Sequence, residues 1–184
     1  MNLYINGSNR NQNCYQILSD LKEAEDRLFS LADKSVNYCL GCSSCINHLE
    51  NFCVIEDDMQ ELYQYMAEAK KIIIATPIYM NHITGILKNV IDRWNPYGSH
   101  EELLKGKTIY LITVGQMSEE ENQEIAENIK TYFEGLGEFM EFKVVFLKNF
   151  SSGDVVTVNE VKKEHSDYDK IINNLKEKIH EKIV

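Results

Sequence analysis

Short apolar segments that alternate with stretches of helical periodicity constrain the fold of this chain most strongly. Five segments of strand length are present, at Leu3 to Ile5, Arg27 to Leu31, Lys71 to Ala75, Thr108 to Val114 and Glu141 to Leu147. Between them, apolar residues recur at three- and four-residue intervals, the spacing of a helix with one buried face. Strands that alternate with such helices form a parallel sheet with right-handed crossovers. The sequence therefore predicts an α/β fold, a doubly wound five-stranded parallel sheet with helices on both faces.

The expected helices follow the strands in turn. The first has its apolar face at Cys14, Ile17, Leu18 and Leu21, and later ones run from Gly85 to Trp94, from Ser118 to about Gly135 and from Ser166 to Ile183. Another helix begins at Asp57 or Asp58, with Glu61 completing a capping box. These carboxylates are therefore interpreted as structural caps rather than as catalytic groups.

Length and charge narrow the class of protein. The chain has 184 residues, 43% of them hydrophobic, which predicts a single domain over residues 1–184. Its longest apolar runs have only strand length, so no membrane span is expected. A net charge of -10 argues against non-specific nucleic-acid binding, which depends on clustered lysine and arginine. The N-terminus reads MNLYINGSNR and contains no signal peptide, which predicts a cytoplasmic location.

A cysteine-rich loop at 38–56 interrupts the alternation of strands and helices. Four of the five cysteines lie in the segment CLGCSSCINHLENFC, at Cys39, Cys42, Cys45 and Cys53. Three thiolates at three-residue intervals and a fourth nearby suit an iron–sulfur cluster. Zinc held by four cysteines, or by three cysteines and His48, remains an alternative, as do free thiols. Disulfides are disfavoured in a reducing cytoplasm.

Three loops are expected to meet at one edge of the sheet. They follow the first, third and fourth strands at 7–13, 76–82 and 115–117, and the strand order 2-1-3-4-5 would bring them together. The first loop is polar and leads into a helix N-terminus, which favours a bound phosphate. It contains neither a Walker A motif nor G-x-G-x-x-G, so triphosphate hydrolysis and dinucleotide binding of the Rossmann type both lose support.

Several of these segments together carry a family resemblance. They are NGSNRNQN after the first strand, DDM at Asp57 to Met59, ATPIYMNHITGILKNVIDR at Ala75 to Arg93, and GK at Gly106 and Lys107. The set resembles the NADPH-dependent FMN reductase superfamily, and the cysteine spacing resembles that of its iron–sulfur flavoproteins. The resemblance runs from the first strand to about Gly115 and implies a flavodoxin-like fold that binds FMN.

The resemblance also implies which residues contact the flavin. Around the FMN phosphate it places Ser8, Arg10, Asn13 and Cys14, and along the isoalloxazine ring it places Pro77, Ile78, Tyr79, Met80 and Asn81. Gly115 would permit close approach of the third loop. Many relatives have threonine at the position of Cys14, and a thiol is a weaker donor. Cys14 could instead be a small buried helix residue, and Tyr79 a core aromatic.

Four further residues receive structural interpretations. Arg93 suits the C-terminus of a helix, where its charge complements the helix dipole, and Trp94 suits the packing of that helix end or a subunit interface. His82 and His100 are possible proton donors near the flavin, but ordinary loop positions are the favoured interpretation.

The expected function follows from the two cofactors. A flavin accepts two electrons as hydride and a [4Fe-4S] cluster accepts one, so the pair would pass electrons from NAD(P)H or a reduced carrier to an acceptor. The acceptor would be a small molecule or a redox protein. No side chain need be catalytic, and the resemblance implies a homo-oligomer, a dimer or a tetramer.

Three alternatives to this function stay open. The first is a cluster-free NAD(P)H-dependent FMN, quinone or azo-compound reductase whose cysteines are free or hold zinc. The second is a non-enzymatic electron carrier of the flavodoxin type. The third is a metal-stabilised binding or sensing module, since a fold does not by itself imply a function.

Overall fold

The computed structural model describes residues 1–47, 52–152 and 165–181. Within them the strands are β1 (Leu3–Asn6), β2 (Arg27–Ser30), β3 (Lys71–Pro77), β4 (Thr108–Gly115) and β5 (Lys143–Ser151). The helices are α1 (Asn13–Leu21), α2 (Ser44–Asn47), α3 (Met59–Glu68), α4 (Gly85–Asp92), α5 (Gln123–Met140) and α6 (Tyr168–His180). None of the helices in these ranges is long and apolar enough to cross a membrane.

The five strands form one parallel sheet in the order β2-β1-β3-β4-β5, which confirms the predicted fold. The central strand β3 pairs with β1 and β4, so that Ile74 lies opposite Ile5 on one side and Leu111 on the other. Because β3 and β4 are covered on both faces, they have the continuous apolar sequences that buried parallel strands require.

Two hydrophobic cores lie on opposite faces of this sheet. Alternate residues of each strand point to opposite faces. Accordingly, Leu3 and Ile72 pack with α3, α4 and α5, while Tyr4 and Ile73 pack with α1 and α6. The helices therefore cover both faces, as expected of a doubly wound sheet.

The ends of the helix α5 differ from the prediction. It begins at Gln123 instead of Ser118, because Asn122 donates from its side-chain amide to the carbonyls of Met117 and Ser118 and holds that segment as a turn. It continues past Gly135 to Met140 and ends at Glu141, whose φ of 60° is left-handed.

The other predicted boundaries differ by smaller amounts. β5 continues four residues beyond Leu147, to Ser151. Helix α4 ends at Asp92, and Arg93 and Trp94 follow it outside the helix. Helix α6 begins at Tyr168, and Ile183, where this helix was expected to end, lies outside the described residues.

The predicted capping box at the start of α3 is wrong. Asp58 is the N-cap, and its side chain makes no capping hydrogen bond within the described residues. Asp57, the residue before it, accepts a hydrogen bond from the N–H of Met59 at 3.1 Å. Glu61 instead pairs with Lys34, which also contacts Asp58. These contacts attach the segment that follows β2 to the first turn of α3.

Candidate functional site

An open cleft lies at the carboxyl ends of β1, β3 and β4, where loops from three distant parts of the chain meet. It has a volume of about 260 Å³. The residues that line it are Ser8, Arg10, Gln12, Asn13, Cys14, Pro77, Ile78, Tyr79, Val114, Gln116 and Ser152. Sheet topology therefore brings seven of the ten predicted flavin-site residues to one cavity, and a crevice at this position is where doubly wound folds bind ligands.

The loop between β1 and α1 is shaped by Asn6, a buried residue that the sequence interpretation missed. Its side-chain oxygen accepts the N–H of Ser8 at 3.2 Å, and its amide donates to the carbonyl of Arg10 at 3.2 Å and to the Ser30 hydroxyl at 2.9 Å. Ser8 in turn accepts the N–H of Arg10 at 3.2 Å. These bonds turn the chain sharply after β1 and present Ser8 and Arg10 to the cleft.

Asn11 extends this network away from the cleft. Its side-chain amide donates to both carboxylate oxygens of Asp33 at 2.9 Å, and its side-chain oxygen accepts a hydrogen bond from the Ser30 hydroxyl. The loop is therefore fixed to the segment that follows β2 independently of any ligand.

Glycine at position 7 is required by close packing. A Cβ atom there would lie 2.9 Å from Cδ2 of Leu87 and 3.0 Å from the carbonyl oxygen of Ala75. The Thr84 hydroxyl donates to the Gly7 carbonyl at 2.6 Å and accepts the N–H of Leu87 at 3.1 Å as the N-cap of α4. The first turn of α4 thus holds the loop in place.

The first turn of α1 borders the cleft through Asn13 and Cys14. The side chain of Gln12, the residue before this helix, makes no capping hydrogen bond within the described part of the chain. Backbone N–H groups at a helix N-terminus attract anions through their donors and through the helix dipole. The position therefore suits a phosphate group.

Cys14 is buried, with 3% of its surface exposed, and it packs among the apolar residues of α1. Burial raises the pKa of its thiol to about 12, although the charge of Arg10 acts in the opposite direction. The thiol is therefore neutral at physiological pH. The interpretation of Cys14 as a small buried helix residue is confirmed, and the residue also borders the cleft.

The loop after β3 places its five predicted residues in two groups. Pro77, Ile78 and Tyr79 line the cleft. Met80 and Asn81 form the tip of a tight turn, with φ values of 48° and 61°, and Met80 is 98% exposed.

Tyr79 closes this turn and also reaches across the mouth of the cleft. It exchanges backbone hydrogen bonds with His82 at 2.9 and 3.1 Å. Its hydroxyl accepts a hydrogen bond from Nη2 of Arg10 at 2.9 Å. Since 37% of Tyr79 is exposed, the alternative interpretation of this residue as a core aromatic is wrong.

Gly115 does not line the cleft in the described chain. A Cβ atom there would lie 2.4 Å from Nδ2 of Asn122, so the glycine makes room for that side chain. Its carbonyl accepts the N–H of Ser152 at 2.8 Å. The neighbouring Gln116 and Ser152 face the cleft instead. Neither carried a sequence signal, since isolated polar residues after strands are common.

The cysteine segment lies at the other end of α4. Cys39 and Cys42 are exposed, Cys45 and Cys53 are half-buried, and all four are free thiols. Among the described residues, no three cysteine, histidine, aspartate or glutamate side chains are placed to hold one metal ion. His48, the possible fourth zinc ligand, lies outside the described residues.

Three of the thiols have polar neighbours. The sulfur of Cys45 accepts a hydrogen bond from Nδ2 of Asn95 at 3.3 Å, and that of Cys39 accepts the N–H of Gly41 at 3.4 Å. The Cys42 sulfur lies 3.4 Å from the Ser44 hydroxyl oxygen, and hydrogen bonding with the side chain and backbone of Ser44 lowers the pKa of this thiol. Such donors favour the thiolate form that metals require.

Arg93 is buried beside this segment. Its guanidinium pairs with the carboxylate of Asp57 at 2.5 Å, and the side chains of both are almost wholly buried. Burial raises the pKa of Asp57, but hydrogen bonds from Arg93 and from the N–H groups of Asn37 and Met59 outweigh it, so the net pKa is lowered. The pair is therefore ionised in the folded protein.

The remaining candidates have structural surroundings. Trp94 is fully buried, in edge contact with Phe133 and Phe142. His82 packs against Tyr132, and His100 packs against Phe52. Neither histidine lines the cleft.

The parallel sheet in this order and the cleft at its carboxyl edge define a flavodoxin-like protein. Residues 2–134 match the family model for NADPH-dependent FMN reductase. The chain belongs to that family, which confirms the resemblance seen in the sequence.

Curated relatives carry the name iron-sulfur flavoprotein. One from Methanocaldococcus jannaschii is 38% identical over 118 residues, which cover 60% of this chain and 59% of the relative. One from Archaeoglobus fulgidus is 41% identical over 92 residues, covering 47% of this chain and 40% of the relative. The matched region therefore spans roughly half of these relatives' lengths, and their activities are not transferred on similarity alone.

Solved structures share the fold at low sequence identity. The Trp repressor binding protein of Bacillus subtilis has a TM-score of 0.63 at 17% identity, covering 96% of this chain and 97% of that one. An FMN-dependent NADH-azoreductase of Bacillus anthracis, solved with FMN, has a TM-score of 0.58 at 15% identity and covers 96% of each chain. At such identities the likeness extends to the fold alone.

Proposed function

We propose that this chain is an FMN-dependent oxidoreductase that also holds a [4Fe-4S] cluster. In this role it passes electrons between NAD(P)H or a reduced carrier and an acceptor. The observation that carries the proposal is the cleft at the carboxyl edge of the sheet, bordered by a helix N-terminus on one side and by the loop after β3 on the other. Membership of the family supports the same conclusion.

The phosphate end of FMN would lie in the loop between β1 and α1. Ser8 and Asn13 would supply polar contacts together with backbone N–H groups, and Arg10 the positive charge. Arg10 is exposed, and among the described residues its guanidinium bonds only to the Tyr79 hydroxyl, through one nitrogen, so the guanidinium has donors left for a phosphate. The neutral thiol of Cys14 would add a weak donor.

The isoalloxazine ring would lie along Pro77, Ile78 and Tyr79, with Met80 and Asn81 at the outer end of the same turn. Gly115 would act indirectly, by letting Asn122 hold the loop that presents Gln116. FMN, when bound, supplies the two-electron chemistry itself. The protein would hold the ring against this turn, within the cleft.

The donor chemistry of the cysteine segment fits an iron–sulfur cluster. Four thiols without disulfides lie at C-x2-C-x2-C-x7-C spacing, and the described donors to sulfur include Asn95 and Gly41. The names of the curated relatives support this choice over zinc. We therefore propose Cys39, Cys42, Cys45 and Cys53 as the ligands.

We also propose that the chain forms a homo-oligomer. Its exposed large apolar residues fall mainly into two groups. On the cysteine segment they are Tyr38, Leu40, Ile46 and Val54, and beside the cleft mouth they are Tyr79, Met80 and Met117. Exposed apolar groups of this kind mark interaction sites, and pairing the two groups between subunits would bring unlike cofactors together.

Anaerobic reduction tests the proposed function. The protein would be mixed with NADPH or NADH while its visible spectrum is followed, with ferredoxin or another reduced carrier as a separate arm. Bleaching of the flavin bands together with the thiolate-to-iron band is expected with at least one donor. Steady NAD(P)H turnover by iron-free protein would instead favour the alternative of a cluster-free reductase. Failure to bind flavin on reconstitution would favour the alternative of a binding or sensing module.

A further inference from the structure

Arg93 makes contacts that go beyond capping the helix α4. It is 2% exposed, and its guanidinium donates to three acceptors that are distant in the sequence. Nη1 reaches Oδ2 of Asp57 at 2.5 Å and the carbonyl of Asn37 at 3.3 Å, while Nη2 reaches the carbonyl of Ile55 at 3.4 Å.

These acceptors flank the cysteine segment on both sides. Asn37 stands two residues before Cys39, and Ile55 stands two residues after Cys53. One guanidinium therefore binds the beginning and the end of the segment together. Asp57 completes the closure, because its carboxylate accepts the backbone N–H of Asn37 at 2.8 Å and the side-chain amide of the same residue at 3.1 Å.

The planar fork of arginine is essential to this arrangement. Two nitrogens of one rigid group reach a carboxylate and two carbonyls in different directions, which the single ammonium of lysine does not reproduce. Closing a loop before its ligand binds removes part of the ordering entropy that binding would otherwise cost. A segment closed by Arg93 is thus partly organised for a metal.

Helix α4 connects this closure to the flavin cleft. Its N-cap Thr84 holds the Gly7 carbonyl, and Arg93 follows its last turn directly. Asn95, two residues further on, donates to the sulfur of Cys45. The eight residues of α4 have a length of about 12 Å. Both candidate sites are therefore attached to opposite ends of one short helix.

We propose that Arg93 is a positioning residue that closes the cysteine segment onto the C-terminal end of α4 before any metal binds. The metal part of this proposal rests on the proposed function, whereas the closure concerns the protein alone. Within the described part of the chain, the hydrogen bonds of the Arg93 guanidinium go to Asp57 and to the backbone on both sides of the thiols, and none goes to a sulfur.

The test compares Arg93→Lys and Arg93→Gln with wild type and with the control Lys88→Gln. Lys88 lies on the same helix and forms an exposed ion pair with Asp92. Amide hydrogen exchange would be followed in metal-free protein, in peptides covering 38–47 and 52–58 and in reference peptides from α1 and β4. In both Arg93 variants we expect exchange in peptides 38–47 and 52–58 to be at least tenfold faster than in wild type, while exchange in the reference peptides is unchanged. In Lys88→Gln, exchange should match wild type in all of these peptides.

The second readout uses the same proteins after reconstitution with ferrous iron and sulfide. Iron transfer to a chelator should be at least tenfold faster from both Arg93 variants, with FMN affinity within twofold of wild type. If Arg93→Lys exchanged its amides and released its iron as slowly as wild type, the proposal would be overturned, because a positive charge without the fork of arginine would then be enough to close the segment. Uniformly faster exchange throughout the chain would also overturn it, because Arg93 would then serve general stability.

The two proposals fail in different ways. If wild type binds no iron while the Arg93 variants still open the segment, the closure stands and the cluster is wrong. If wild type binds iron and the variants leave exchange unchanged, the cluster stands and the closure is wrong.

Discussion

The cleft proposed for FMN and the cysteine segment lie at opposite ends of α4 and are built in different ways. The cleft gathers residues from β1, β3 and β4, whose carboxyl ends meet because the strands are parallel. The cysteine segment has only the short helix α2 within its described part. Arg93 and Asp57 hold its two ends, and contacts at Cys45, Phe52 and Cys53 attach it to the fold between them. Sheet topology thus organises one site directly, while the other depends on a buried ion pair and on local loop conformation.

The largest expected effect is on the metal. Cys42→Ser should abolish the cluster while FMN binding stays within twofold of wild type, since the serine hydroxyl is a poor replacement for a thiolate ligand. Cys14→Ser is the matched control, because this fifth cysteine is buried on α1, away from the segment. Iron and sulfide analysis with visible spectroscopy decides the outcome. A cluster that survives Cys42→Ser, or one lost in Cys14→Ser, would mean the ligands are assigned wrongly.

Breaking the buried ion pair of Arg93 and Asp57 is expected to have the next largest effect, on the stability of the fold. Asp57→Asn leaves the charge of Arg93 buried without its partner, and we expect a loss of about 3 kcal/mol in the free energy of unfolding, at the low end for such pairs. Urea denaturation measures it. The exposed pair of Lys88 and Asp92 provides the control, because Asp92→Asn should cost less than about 0.5 kcal/mol. Equal losses in the two variants would show that the buried pair has no special role.

The cleft is tested by removing its charge. Arg10→Ala should weaken FMN binding about 10- to 100-fold, since a charge-assisted hydrogen bond contributes about 1.5–3 kcal/mol. Arg27→Ala, on the exposed start of the edge strand β2, is the control and should leave the affinity unchanged. Fluorescence titration of apoprotein with FMN gives both values. Unchanged affinity in Arg10→Ala would place the phosphate elsewhere.

The pH dependence of stability provides a further test of the buried pair of Asp57 and Arg93. The pKa of Asp57 is lower in the folded protein than in the unfolded chain, so the stability that it contributes is present above the unfolded value, about pH 4. That contribution should disappear as the pH falls below about 4 toward the folded pKa. Urea unfolding between neutral and acidic pH should therefore show a steeper acid loss in wild type than in Asp57→Asn. If the free energies of unfolding of wild type and Asp57→Asn fell in parallel as the pH is lowered, Asp57 would not be the source of this acid loss.

The cleft was the more predictable of the two regions. Continuous apolar runs revealed β3 and β4, and the order of strands then determined which loops would meet. Sequence patterns did not reveal Asn6, whose role depends on bonds to Ser30 in a different strand. Gln116 was missed for a similar reason, because its position depends on how Asn122 packs against Gly115.

The contacts by which Arg93 closes the cysteine segment could not be predicted from the sequence patterns. Helical periodicity placed this arginine at a helix end, where a structural role is common. Its partners Asn37, Ile55 and Asp57 are 36 to 56 residues away along the chain, and only the tertiary fold brings them together. The single clue in the sequence was the acidic pair that follows the last cysteine.

The proposed function requires one chain to hold both FMN, in the cleft, and a cluster, at the cysteines. It is tested by the iron, sulfide and FMN content per chain of wild-type protein purified without oxygen. We expect about one FMN per chain, with iron and sulfide in equal amounts of about four each. FMN with neither iron nor sulfide after anaerobic reconstitution would contradict the proposed function, as would zinc in their place.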